Sequence, residues 1–302
     1  MQRLSIPAVD GEISLCSWMA GAAPSGDKPV LHWAHANGFN GETYTPLLEP
    51  LQARFDICAW DARGHGLTTL PANPEEMTGW HIYRDDLIGV IEHLAQASGQ
   101  KIWLGGHSMG GCASIMAAAQ RPDLVAGLVL TDPVIVPSPG LGLMRLWYRL
   151  RPHSGTMLMQ MAGKRRAVWP DIETITAAYT GRGAFATWQD GFLDAYLRGG
   201  LLPHADDAGN RLKLACAPAW EAANFKGPQD PSVPPIKKLQ VPFTLLMAET
   251  GSTTRAPQAF HIPKQRKKIA IVPGSTHFLP MEFPELVRDD ICRLIEAKSA
   301  ER

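Results

Sequence analysis

The segment from Lys101 to Gln120, KIWLGGHSMGGCASIMAAAQ, sets Gly105, Gly106, Gly110 and Gly111 around a single serine, Ser108. An apolar run precedes it and a helix-forming run follows. A chain that turns from strand into helix at one residue holds that residue in strained backbone, and the residues two positions away must lack bulk. Gly106 and Gly110 stand at those positions. G-x-S-x-G in this context is a nucleophile elbow, which presents a serine hydroxyl at the carboxyl edge of a sheet with a helix N-terminus behind it. The bland alternative is a glycine-rich turn in which Ser108 only caps a helix.

A lone serine is a poor nucleophile and needs a base within hydrogen-bond reach. His277, in VPGSTHFLPMEFPE, follows the last apolar run on a Gly-containing loop just before the final helical stretch. Serine before histidine is the chain order that goes with the elbow. His277 is therefore the candidate base. His107 adjoins the serine, but consecutive side chains at such a turn diverge, and it reads as packing. A developing oxyanion needs two N–H donors. Met109, directly after the serine, offers one. The second should come from the loop after an early strand, here LHWAHANGFNGETY, where Asn37 is the candidate. Ala36 and Gly38 beside it would let the backbone approach a substrate oxygen, while His35 reads as a brace for the loop.

Chemistry of this kind needs a rigid sheet to hold it. PVLHWAH, FDICAW, KIWLGG, VAGLVLTD, VPFTLLMAE and KKIAIVPG read as buried strands. YTPLLEPLQAR, GWHIYRDDLIGVIEHLAQAS, GGCASIMAAAQRP and PELVRDDICRLIEAKS read as helices between and after them. That alternation is the signature of an α/β fold with a mostly parallel sheet. The first residues form a hairpin turning at Asp10-Gly11. From about Pro133 to Pro235 the alternation stops. No buried strand is evident there, and GLMRLWYRLR, GTMLMQMAGKRRAVW, DIETITAAYT and FATWQDGFLDAYLRGG have helical spacing. The expected division is a core of 1–132 and 236–302 with a helical insertion over 133–235. Trp147, Trp169, Trp188 and Trp220, with Met157, Met159 and Met161, are expected to build the insertion's core and to roof an acyl pocket, with Trp147, Trp169 and Trp188 as pocket candidates.

The 302 residues are 45% hydrophobic, enough for a large core, and Lys plus Arg equal Asp plus Glu at 29 each. No excess charge draws the chain to nucleic acid or to a membrane surface. Five widely spaced cysteines with no C-x-x-C pair point to free thiols in a reducing cytoplasm. No signal peptide, membrane span or metal-ligand spacing is evident, so neither metal nor cofactor is expected.

Taken together, HANGF, DARGHG, GGHSMGG and GSTHFLPMEFPE, in this order and spacing, resemble the α/β-hydrolase superfamily. The resemblance covers about Pro29 to Val136 and Val241 to the C-terminus. It implies an α/β-hydrolase fold whose insertion is a helical cap, DARGHGLT as a structural loop, and hydrolysis of an ester or related acyl bond. Family members commonly carry an Asp shortly after the strand matched by VPFTLLMAETGS, where this chain has Gly251. Glycine cannot orient a histidine. The resemblance leaves Asp132, at the end of the preceding core strand, as first candidate for the acid, Glu249 as the second and a residue of the insertion as the third.

The expected function is a serine hydrolase of carboxylesterase or lactonase type acting on a small acyl substrate. A carbon–carbon bond hydrolase, a thioesterase and a non-catalytic ligand-binding protein on the same scaffold stand as alternatives. Neither the natural substrate nor the oligomeric state is legible.

Overall fold

The computed structural model describes residues 1–136, 156–206, 209–225, 233–262 and 267–299. Eight strands make the main sheet: β1 (Gln2–Ala8), β2 (Gly11–Ser17), β3 (Val30–Ala34), β4 (Asp56–Trp60), β5 (Ile102–His107), β6 (Val125–Thr131), β10 (Phe243–Ala248) and β11 (Lys267–Val272). Their order is β1-β2-β4-β3-β5-β6-β10-β11. β1 and β2 pair antiparallel in the hairpin expected at Asp10-Gly11, β2 joins β4 antiparallel, and the remaining pairs are parallel.

The central strands read as continuous apolar runs because both faces are covered. Along β3, Val30 and Ala34 join one hydrophobic cluster, while Leu31 and Trp33 join the other. Helix α2 (His81–Ser98) packs Leu87, Val90, Ile91 and Leu94 on the first face. The helix Pro284–Ser299 sets Val287, Ile291 and Ile295 against the second, a spacing of four that keeps them on one stripe. The YTPLLEPLQAR helix is shorter than expected. It breaks after α1 (Thr45–Leu48) into a 3-10 turn at Glu49–Leu51, where Pro50 has no N–H to continue the ladder.

Between Thr156 and Phe225 the helices Met157–Gly163, Ile172–Tyr179, Phe192–Gly200 and Pro218–Asn224 confirm the helical content read from the sequence. The structure adds a three-stranded antiparallel sheet, β7 (Val168–Trp169), β9 (Gly209–Leu214) and β8 (Leu201–Asp206), in that order. Its two longer strands are largely exposed, so they carry no buried run to read, and Pro203 sits in β8 because that strand is an edge. Trp169, Ile175, Tyr196, Leu197 and Leu214 form a small cluster separate from the two beside the main sheet. Phe192 joins one main cluster and Cys216, Trp220 and Ala223 the other, so this part of the chain packs on the core as well as on itself; we propose that it belongs to an insertion over 133–235 in a core of 1–132 and 236–302. Among the described residues, no helix is long and apolar enough to cross a membrane.

Candidate active site

Parallel pairing brings the candidate residues together at the carboxyl edge of the sheet. His107 of β5 pairs with Thr131 of β6, so the chain leaves two adjacent strands at Ser108 and at Asp132. Ala34 pairs with Gly106, which puts the loop carrying Asn37 beside the elbow. His277 follows β11 on the next turn.

The elbow has the geometry its glycines imply. Ser108 takes φ 56° and ψ −117°, and helix α3 (Met109–Gln120) starts at the next residue. A Cβ on Gly106 would lie 2.7 Å from backbone atoms of Gly110 and Gly111, and one on Gly110 would strike the Ala34 carbonyl oxygen. Either substitution forces the strand and helix apart.

Ser108 Oγ lies 3.0 Å from His277 Nε2, and the other ring nitrogen, Nδ1, lies 2.6 Å from Asp132 Oδ2. Asp132 is fully buried and has φ 42°, the second positive φ at a non-glycine residue among the described ones. Its carboxylate is held on all sides. Oδ1 accepts from the Ala248 N–H at 3.1 Å and from the Ser252 hydroxyl, while Oδ2 accepts from the Thr253 N–H at 2.9 Å. Burial pushes its pKa up, but the bond and charge of His277 and the Ser252 and Thr253 donors outweigh it, and the net shift is downward. Asp132 is therefore a carboxylate at neutral pH.

Glu249 stands elsewhere. Its carboxylate accepts the Gly274 N–H at 2.9 Å, staying exposed and bracing the turn before His277. The loop around Gly251, which the sequence reading marked as lacking an acid, instead supplies Ser252 and Thr253 as donors to Asp132.

The N–H groups of Asn37 and Met109 have no acceptor among the described residues. For Met109 this follows from its place in the first turn of α3. Asn37 is fixed by its side chain, whose Nδ2 donates to the Glu221 carbonyl at 3.0 Å. Gly38 has a different reason from the one expected. Its φ is 78°, and a Cβ there would meet the Glu221 carboxylate at 2.8 Å, so glycine is required there by Glu221 and by the backbone itself. His35 braces the loop as expected, accepting the Ala62 N–H at 2.9 Å, and His65 of DARGHG does likewise for the Gly38 N–H at 3.0 Å.

Of the pocket candidates, Trp147 lies outside the described residues. Trp169 is buried in the insertion's own cluster, with its indole N–H on the Arg166 carbonyl. Trp188 is nearer His277: its ring centroid is 6.0 Å from that of Phe278 and 5.4 Å from that of Phe39, and Phe278 lies 5.8 Å from His277. Met157 and Met161 are 77% and 58% exposed and roof nothing among the described residues. Trp220 is buried against the DARGHG loop, donating to the Arg63 carbonyl at 3.0 Å. No group of three or more His, Cys, Asp and Glu among the described residues could hold a metal ion, and no disulfide joins the cysteines.

Four histidines are buried and neutral. Burial pushes His32, His65 and His107 to about 3 and His35 to about 4, and neither ring nitrogen of His32 has a hydrogen-bond partner among the described residues. Each folded pKa is depressed below the unfolded value of about 6.5, so the stability these groups allow is complete above that pH and is lost as pH falls below it. At pH 5 the loss is about 2 kcal/mol per histidine, together comparable with the whole stability of a domain. Urea unfolding is expected to show a flat plateau from about pH 7 upward and a steep decline toward about pH 5. A flat profile down to pH 5 would show that these histidines are not buried as neutral rings.

The alpha/beta hydrolase family model matches residues 30–290, and the chain belongs to that family. It is 27% identical to 2-(acetamidomethylene)succinate hydrolase of Mesorhizobium japonicum, over 90% of this chain and 90% of that protein. It is 25% identical to monoglyceride lipase of Homo sapiens, over 92% of this chain and 84% of that one. The thioesterase domain from the curacin biosynthetic pathway shares its fold, with a TM-score of 0.72 and 18% identity over 97% of this chain and 99% of that one.

Proposed function

We propose that this hydrolase cleaves an ester or related acyl bond through Ser108, His277 and Asp132. The observation that carries the reading is one imidazole bridging a buried carboxylate at 2.6 Å and a serine hydroxyl at 3.0 Å, with that serine in elbow backbone. His277 takes the Ser108 proton as Oγ attacks the carbonyl carbon. Asp132 keeps the tautomer with Nδ1–H and stabilises the imidazolium. The N–H groups of Asn37 and Met109 hold the oxyanion. His277 then protonates the leaving group, and in the second half-reaction it activates water to release the acid and free Ser108.

Against the non-catalytic alternative stands the carboxylate of Asp132, 2.6 Å from His277 Nδ1, where an acid that orients the ring would be needed. Carboxylic ester or lactone stays the preferred bond. The names of the relatives keep an acetamido-substituted succinate and a monoacylglycerol in view as substrates, and the fold neighbour keeps an acyl thioester. Phe278, whose ring lies beside His277, and the rings of Phe39 and Trp188 packed on Phe278 favour an apolar acyl or alcohol group.

Purified protein should be labelled by a fluorophosphonate at Ser108. It should also turn over short apolar esters with kcat/KM about tenfold or more above bulky charged ones, because burying a charge among those rings without a partner is costly. Lactones, monoacylglycerols, acyl thioesters and 2-(acetamidomethylene)succinate complete the panel. Absence of labelling would reject the serine mechanism, and equal rates for apolar and charged esters would reject the aromatic pocket.

A further inference from the structure

His107 is not mere packing. Its ring is fully buried, with Nε2 2.7 Å from the His277 carbonyl oxygen and Nδ1 2.8 Å from the Tyr44 hydroxyl. A carbonyl oxygen only accepts, so Nε2 carries the proton, Nδ1 is the acceptor, and Tyr44 O–H donates to it. The Tyr44 oxygen in turn accepts the Ala36 N–H at 3.2 Å. One directed chain therefore runs from Ala36 through Tyr44 and His107 to the backbone of His277. It begins at the residue before Asn37, passes through the residue before Ser108 and ends on the base. Three segments far apart in sequence are joined at the points next to their reacting atoms.

We propose that Tyr44 and His107 are positioning residues that fix the oxyanion loop and the general base in one frame. The inference rests on the serine-hydrolase reading above. A base must stay within a few tenths of an ångström of its nucleophile while the oxyanion donors face the same carbonyl, and small misplacements of either cost rate rather than binding. Asp132 fixes where the His277 ring points, and the His107 N–H fixes the peptide from which that ring extends. The frame must also be uncharged. The two imidazole centroids are 5.0 Å apart, and a cation on His107 would oppose the imidazolium that forms on His277. Burial holds His107 neutral, at about 3.

The test uses Tyr44→Phe, His107→Leu, His107→Gln and the double variant Tyr44→Phe with His107→Leu, assayed on the best ester and by fluorophosphonate labelling rate, with thermal unfolding measured alongside. Tyr44→Phe removes one oxygen and keeps the ring, so it carries the test even where His107→Leu folds poorly. Each of Tyr44→Phe and His107→Leu should lower kcat about 10- to 100-fold with KM within about twofold. The shape of the kcat–pH profile should not change, because a neutral frame does not titrate with the base. The double variant should lose no more than His107→Leu alone, since a chain broken once is broken. His107→Gln, which keeps an N–H donor, should recover part of the rate. Full kcat in folded Tyr44→Phe, losses that multiply, a shifted pH limb, or a loss confined to KM or to unfolding temperature would each overturn the proposal. Wild-type protein that neither turns over any ester nor takes the label would reject the hydrolase reading itself, and this inference with it.

Discussion

Ser108→Ala should lose on the order of 10⁶ in kcat and all fluorophosphonate labelling, while its unfolding temperature stays within a few degrees of the parent. The size follows from the proposed mechanism, in which nucleophile and base act as a unit: without Oγ no acyl-enzyme forms, and the remaining donors would contribute only the residual rate. Stability should survive for a local reason. The strain at φ 56° belongs to the backbone and Cβ, which alanine shares with serine, and among the described residues the hydroxyl pairs with His277. The protein loses one partly buried hydrogen bond, worth about 1 kcal/mol. His277→Ala should fall to a similar rate, and the pair of substitutions to no less. A folded Ser108→Ala protein that kept more than about a hundredth of the parental kcat would place the nucleophile elsewhere.

The elbow was legible because sterics wrote it into the residue types: a Cβ at Gly106 or Gly110 would meet backbone atoms, so a turn this tight between strand and helix asks for glycine at both places. That His277 would lie beside Ser108 was legible from chain order, and that Asp132 would lie at the same sheet edge from the family resemblance; the structure places both there. What supports them was not. Ser252 and Thr253 meet Asp132 across about 120 residues, and nothing in GST marks those hydroxyls and N–H groups as aimed at a carboxylate. His107 was judged by divergence from Ser108, which is correct, but divergence does not say what the ring meets. Its partners, the Tyr44 hydroxyl and the His277 carbonyl, come from segments 63 and 170 residues away, which no local pattern reports. Gly38 was read through the substrate, yet its neighbour comes from the insertion, as Glu221. Exposed strands β8 and β9 escaped because periodicity registers burial, and they have little.

Asp132→Asn should lose about 10³ to 10⁴ in kcat with little change in KM, and Glu249→Gln less than about tenfold. The reasoning is a count of donors. Oδ2 faces the His277 Nδ1–H and the Thr253 N–H, and Oδ1 faces the Ala248 N–H and the Ser252 hydroxyl. Asparagine replaces one of these acceptors with an NH₂. If the amide nitrogen takes the Oδ2 place, the ring must offer it a bare Nδ1, the proton moves to Nε2, and His277 can no longer accept from Ser108. In the flipped orientation the NH₂ meets the Ala248 N–H, which cannot reverse, and the imidazolium still loses its negative partner. Either orientation leaves a buried donor without an acceptor, at a cost of about 1–3 kcal/mol in stability, so kcat must be referred to sites counted by fluorophosphonate titration. Asp132 is fully buried and its oxygens are taken up by protein donors, which is why KM should hold. Glu249, in contrast, needs only one oxygen for the Gly274 N–H, and glutamine retains one. Loss of rate in Glu249→Gln matching that in Asp132→Asn, or near-parental kcat in Asp132→Asn, would remove Asp132 from the triad.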